Sequence, residues 1–118
     1  MSKEYPLHVY NYLKDQLQGW EDDLESERGT GLESEKIAAG NVMLLKRALN
    51  KMSKGQPLPP DLRGFIRTLG EGTLEHAAWH REYPREALYG ALGTLEMTGS
   101  LEDDTFRPAR SVPKSLHG

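Results

Sequence analysis

Residues 6–24, Pro6-Leu7-His8-Val9-Tyr10-Asn11-Tyr12-Leu13-Lys14-Asp15-Gln16-Leu17-Gln18-Gly19-Trp20-Glu21-Asp22-Asp23-Leu24, decide the fold class. Tyr10, Leu13, Leu17, Trp20 and Leu24 follow one another at steps of 3, 4, 3 and 4, which aligns all five on one stripe of a helix. Lys14, Asp15, Gln16, Glu21, Asp22 and Asp23 fall largely off that stripe. Pro6 suits the opening of the helix, where a missing N–H costs nothing, and Gly29-Thr30-Gly31 ends it. The stripe covers only about two heptads, short of the three or four that argue for a coiled coil, so burial in a core is expected. A homodimer seam is the alternative.

Downstream, a second helix is expected from Glu33 to Lys54, with Ile37, Asn41, Leu44, Leu45, Ala48, Leu49 and Met52 inward and Gly55 in the left-handed position after it. The stretch Gly55-Gln56-Pro57-Leu58-Pro59-Pro60 is a stiff connector, because each proline pushes the residue before it out of the helical region. Pro59 or Pro60 then opens a short helix with Leu62, Phe65, Ile66 and Leu69 inward, which Gly70-Glu71-Gly72 stops. Thr73 is an expected N-cap for a helix running to Glu82; Pro84 starts another, and Gly99 closes that one. The expectation is a mostly α domain of about five helices, with room for a small C-terminal two-stranded wing. Residues 1–107 would form this one domain, with a helical hairpin at 6–54 and a helix-turn-helix-like part at 59–107. Residues 108–118 read as a flexible tail.

The chain has 118 residues, 36% of them hydrophobic, which fits one domain with a small core. With no cysteine, thiolate catalysis, disulfides and cysteine-bound zinc or iron–sulfur centres are excluded. No apolar run approaches the roughly 20 residues of a membrane helix, so a cytoplasmic protein without membrane contact is expected. The net charge of −3 hides a partition: residues 1–35 carry −6, residues 36–68 carry +6 and residues 69–118 carry −3. Two antiparallel helices with complementary faces would explain the first two segments. A phosphate-directed face is the sharper reading, and Lys46, Arg47, Lys51, Lys54, Arg63 and Arg67 would supply it. Lys51 and Lys54 also have a purely local explanation, since they oppose the negative end of their helix dipole.

Lys54-Gly55-Gln56-Pro57-Leu58-Pro59-Pro60-Asp61-Leu62-Arg63 resembles a helix-linker-helix phrase of small uncharacterised proteins from bacteria and their phages. The segment from Thr73 to Leu101 resembles the helix-turn-helix of winged-helix domains. That resemblance implies Ala78 facing the partner helix, Leu88, Leu92 and Leu95 inward, and Gly99 leading into a strand at Ser100-Leu101 that Thr105-Phe106-Arg107 would complete. It also implies Pro84, Arg85, Glu86 and Tyr89 at the exposed front of a recognition helix. The chain departs from the pattern in its Arg81-Glu82-Tyr83-Pro84 turn and in Glu102-Asp103-Asp104, which would repel phosphate from the wing.

His76 and His80 share a helix face at i, i+4, a spacing that can hold a divalent metal, but Ala77 stands where a zincin has its glutamate and no third ligand is evident. The expectation is no metal and no cofactor. No nucleophile–base ordering and no phosphate-cradling glycine loop is present, which points away from an enzyme. Tyr12, Tyr83 and Tyr89 are candidate aromatic anchors for a protein partner, with burial as the plainer alternative. The leading functional expectation is a non-enzymatic binding protein of bacterial or phage type. It would regulate or inhibit a protein or a protein–nucleic acid complex, such as a host defence or regulatory assembly, through a nucleic-acid-like acidic surface made of Glu21, Asp22, Asp23, Glu25 and Glu27 or of Glu102, Asp103 and Asp104. The alternative is a winged-helix DNA-binding regulator acting through Arg85, Tyr89, Lys46, Arg47, Lys51 and Arg63.

Overall fold

The computed structural model describes residues 4–79 and 82–99 and contains four helices: α1 (Leu7–Glu27), α2 (Glu33–Ser53), α3 (Pro60–Trp79) and α4 (Arg85–Met97). The chain is mostly helical, as its periodicity requires, and no strand occurs among the described residues. The expected wing strands at Ser100-Leu101 and Thr105–Arg107, and the expected tail at 108–118, lie outside the described residues.

Helix boundaries follow the local signals closely in the first half. Pro6 takes the N-cap position of α1, in extended geometry, and its carbonyl receives the Val9 and Tyr10 amides. The end of α2 is a Schellman closure: Gly55 adopts φ +68°, its amide donates to Met52 O at 3.1 Å, and the Gln56 amide donates to Lys51 O at 2.9 Å. Between α1 and α2, the Glu35 carboxylate accepts from the Gly29 and Gly31 amides at 2.8 and 3.0 Å, so the third residue of α2 reaches back to stitch the turn.

The third helix corrects the sequence reading. Gly70-Glu71-Gly72 does not stop a helix, and Thr73 is not an N-cap; α3 runs through both, which merges two expected helices and reduces five to four. Gly70 lies buried against α4, where a Cβ would collide with the Thr94 hydroxyl and crowd Ala91 O at 3.0 Å. Its glycine serves close helix approach, and the intrinsic helix penalty of roughly 1 kcal/mol is offset by that packing. Thr73 is buried too, and its hydroxyl meets the Tyr12 phenol at 2.6 Å.

Packing runs α2–α1–α4–α3: α1 lies against both α2 and α4, α4 lies between α1 and α3, and α2 barely touches α3. The core gathers Val9, Tyr12 and Leu13 of α1 with Leu45, Ala48 and Met52 of α2, Leu58 of the connector, Leu62 and Ile66 of α3, and Leu88, Ala91 and Leu95 of α4. Two details differ from the expected stripe. Tyr12, one of the candidate exposed anchors, is only 3% exposed, while Tyr10, Leu17, Trp20 and Leu24 are half-buried. On α2 the inward positions shift from Ile37 and Asn41 to Ala38 and Val42, leaving Ile37 50% exposed.

Tyr12 joins three helices. Its ring rests on Gly90 of α4, where a Cβ would overlap the Tyr12 Cβ, and its phenol donates to Leu69 O of α3 at 3.1 Å. With that single proton given away, the phenol oxygen accepts from Thr73. Burial pushes the Tyr12 phenol up to about 12, against the lowering effect of the Thr73 hydrogen bond. A phenol that ionises later in the folded than in the unfolded chain contributes stability that is complete below pH 10 and declines between pH 10 and 12. Tyr12→Phe should therefore lower the unfolding free energy from urea titration at pH 8 by about 1 kcal/mol for the lost hydrogen bonds, and should flatten the further loss seen on moving to pH 11. Gly90→Ala should cost about 1–3 kcal/mol by overpacking Tyr12. Gly72→Ala, on the exposed side of α3 with no atom within 4 Å of a new Cβ, should add about 0.5–1 kcal/mol. Thermal melts of the two alanine variants check the opposite signs.

Candidate functional site: an acidic helical arm

The two helical hairpins have unequal lengths, and that inequality creates the most distinctive surface. Tyr12, Thr73 and Gly90 mark a common level where α1, α3 and α4 meet. From there α1 continues fifteen residues to Glu27, roughly 22 Å, whereas α4 extends only five residues the same way, roughly 8 Å. No residue of α1 beyond Leu13 is buried, and the buried set of α2 begins only at Ala38. The distal part of the α1–α2 hairpin thus stands clear of the other hairpin as an arm, held by Leu17, Trp20, Leu24 and Ala38.

This arm carries the first set of expected partner-binding residues. Over residues 20–36, Glu21, Asp22, Asp23, Glu25, Glu27, Glu33 and Glu35 stand against Arg28 and Lys36. Glu21 pairs with Lys46 at 3.6 Å across the hairpin, Asp22 accepts from Gln18 at 3.1 Å, and Glu25 pairs with Arg28 at 3.0 Å. Glu27 accepts from the Ser34 hydroxyl at 3.0 Å. Asp23 lines an open cleft of about 400 Å³ between α1 and α2, together with Trp20, Glu27, Ser34, Ile37 and Ala38. Its walls are mainly apolar, and its rim is acidic. The second expected acidic set, Glu102, Asp103 and Asp104, lies outside the described residues.

The residues of the DNA-binding alternative do not form one face. Lys46 and Arg47 are engaged with carboxylates, Arg47 with Asp61 at 3.7 Å, and Arg67 lies 3.9 Å from Glu71. Lys51 is half-buried and Arg63 is exposed near the start of α3. Arg85 opens α4 beside the other end of α3, so it and Arg63 are separated by roughly 24 Å of helix axis. Tyr89 is 40% exposed and lines a different cleft with His8, Leu92, Gly93 and Glu96. Leu88, Leu92 and Leu95 are buried, and Ala78 is exposed.

His76 packs its ring edge-on to Tyr83, centroids 5.5 Å apart at 70°. Its expected companion His80 lies outside the described residues, and among the described residues no three His, Asp or Glu side chains come together as a metal site. Among them, too, no helix is long and apolar enough to cross a membrane. Compared with known proteins, the chain matches no family model, no curated protein and no solved structure.

Sequence reasoning missed Ile37, Ser34 and Glu35 as parts of this end of the molecule. The Glu35 role has a local signal, a Gly-Thr-Gly turn followed by an early-helix glutamate; the exposure of Ile37 has none, because periodicity alone does not say whether Ile37 or its neighbour Ala38 turns inward. The ion pairs on this surface are solvent-exposed, with the Lys46 and Glu21 side chains 60% and 39% accessible. Lys46→Gln should accordingly change unfolding free energy by no more than about 0.5–1 kcal/mol in chemical denaturation, and the difference should shrink in high salt.

Proposed function

We propose that this chain is a non-enzymatic binding protein that regulates or inhibits a macromolecular partner by presenting the acidic arm to a basic surface built for nucleic acid. The observation that supports this reading is the gathering of seven carboxylates and two basic residues, over residues 20–36, at the end of a helical hairpin where α1 has no buried residue and α2 has none before Ala38. Carboxylates repeated along rigid helices offer a regular negative field of the kind a phosphate backbone offers, and such fields govern association rate and partner choice. Glu21, Asp22, Asp23, Glu25 and Glu27 are the contact residues in this proposal. The partner class is a protein or protein–nucleic acid complex of the bacterial or phage setting that the connector resemblance suggests.

Local energetics favour a functional origin for the charge. Asp22, Asp23, Glu25 and Glu27 crowd the C-terminal turns of α1, whose last turn holds no basic residue. Negative charge in the last turn, at Glu25 and Glu27, opposes the helix dipole at a cost of roughly 0.3–1 kcal/mol per residue, and the penalty fades toward Asp22 and Asp23 one turn earlier. Asp22→Lys/Asp23→Lys should therefore leave the melting temperature unchanged or raised while abolishing salt-sensitive capture of partners from a bacterial lysate. Equal recovery by the wild-type chain and the variant would sink the proposal. Fluorescence anisotropy of a mixed-sequence DNA duplex should show no binding even at low salt; micromolar binding that weakens steeply with salt would instead support the DNA-binding alternative.

A further inference from the structure

The cleft on the arm narrows the chemistry of the partner. Its floor is apolar: the half-buried Trp20 and the buried Ala38 face an Ile37 side chain that remains 50% exposed. Ile37, half open to water on a hairpin that also exposes Leu32 and Met43, is not required by the fold, because Ala38 and Val42 already fill the inward positions of that turn of α2. Asp23 and Glu27 line the same cleft from α1, with Glu27 held by the Ser34 hydroxyl across its end. The volume of about 400 Å³ admits more than one aliphatic side chain. A purely electrostatic surface would need no such hollow.

We infer that this cleft seats an amphipathic basic segment of the partner, with one or two aliphatic or aromatic side chains on Trp20, Ile37 and Ala38 and flanking lysines or arginines on Asp23 and Glu27. This deepens the reading of the arm as a protein-binding element and rests on it. The anchors supply affinity by burying apolar surface, and the rim carboxylates set orientation and exclude acidic or neutral segments. Segments of this pattern, apolar on one side and cationic on the other, are what a groove between two helices accepts.

The test uses the full chain carrying Trp79→Phe, a change at an 81%-exposed position that leaves Trp20 as the single tryptophan reporter. The probes are a short amphipathic leucine–lysine peptide and an oligolysine with the same number of lysines. The leucine–lysine peptide should bind about tenfold more tightly than oligolysine and shift Trp20 emission to shorter wavelength. Ile37→Ser should reduce that affinity by about fivefold or more with an unchanged melting temperature, and Asp23→Asn should lower the salt dependence. Equal binding of both peptides with no effect of Ile37→Ser would overturn the cleft proposal while leaving the acidic arm as an electrostatic surface. Failure of both peptides to bind at low salt would overturn the cleft and the arm together. A third arm tests the chain's own basic residues: if Arg107→Glu/Arg110→Glu/Lys114→Glu shifts Trp20 emission without peptide and tightens peptide binding, the occupant belongs to this chain and a separate partner is ruled out.

Discussion

The contact between the Tyr12 ring and Gly90 organises the whole molecule. A glycine at position 90 lets α4 come close enough to α1 for the phenol to cross to α3, where it donates to Leu69 O and accepts from the Thr73 hydroxyl. Gly93 repeats the device one turn on, where a Cβ would meet Val9 and His8, and Gly70 repeats it between α3 and Thr94. These three glycines let α4 pack closely on both of its neighbours, and from Gly90 to Leu95 every one of its residues is buried. In an interior as dense as a protein's, such close approach leaves no slack. The phenol is therefore both a spacer and a polar tie, and an apolar replacement keeps only the first role.

That seam also fixes where the arm begins. Because α4 is short and registers its middle against Tyr12, its protection of α1 ends within about two turns, and everything distal must be stabilised by α2 alone. Two helices can bury only their facing edges, so Leu17, Trp20 and Leu24 stay half-buried although their spacing is as regular as that of fully buried residues. The cleft beside Trp20 and Ile37 follows from the same fact. A third helix would have covered it.

Much of this architecture is legible in the sequence. Pro6, the Gly29–Gly31 turn, the Gly55 closure and the proline connector mark the first two helices and the entry to the third, because each signal acts on the backbone within a few residues. The misreading at Gly70–Gly72 has a physical source: a glycine that breaks a helix and one that lets another helix approach look identical in one dimension. The register of α1 was ambiguous for a related reason. A helix packed on two sides buries a wider arc, so Val9 and Tyr12 join Leu13 inside while Tyr10 moves to the edge. The acidic run of the candidate site is plain in the sequence; its projection from the core is not, since it depends on the lengths of helices that are distant in the chain. Ile37 shows this most clearly, being helix-periodic, apolar and half exposed.

The distribution of charge separates what the fold needs from what it tolerates. At the start of α2, Glu33 and Glu35 sit where the helix dipole favours them, and Glu35 also satisfies two turn amides. Near the end of α2, Lys51 is likewise complementary to the dipole. These residues have structural reasons to be what they are. The carboxylates in the last turns of α1 have weaker ones: they crowd one another toward the negative end of the dipole, with Glu21, Asp22, Glu25 and Glu27 held only by exposed contacts to Lys46, Gln18, Arg28 and Ser34. Where a sequence departs from local energetics without a packing gain, the departure falls preferentially at functional positions. Asp23 is such a departure, beside the cleft that α1 and α2 leave open between them. The arm's shape and its charge thus point to the same role from independent observations, one set by the length of α4 and the other by the residues chosen along α1.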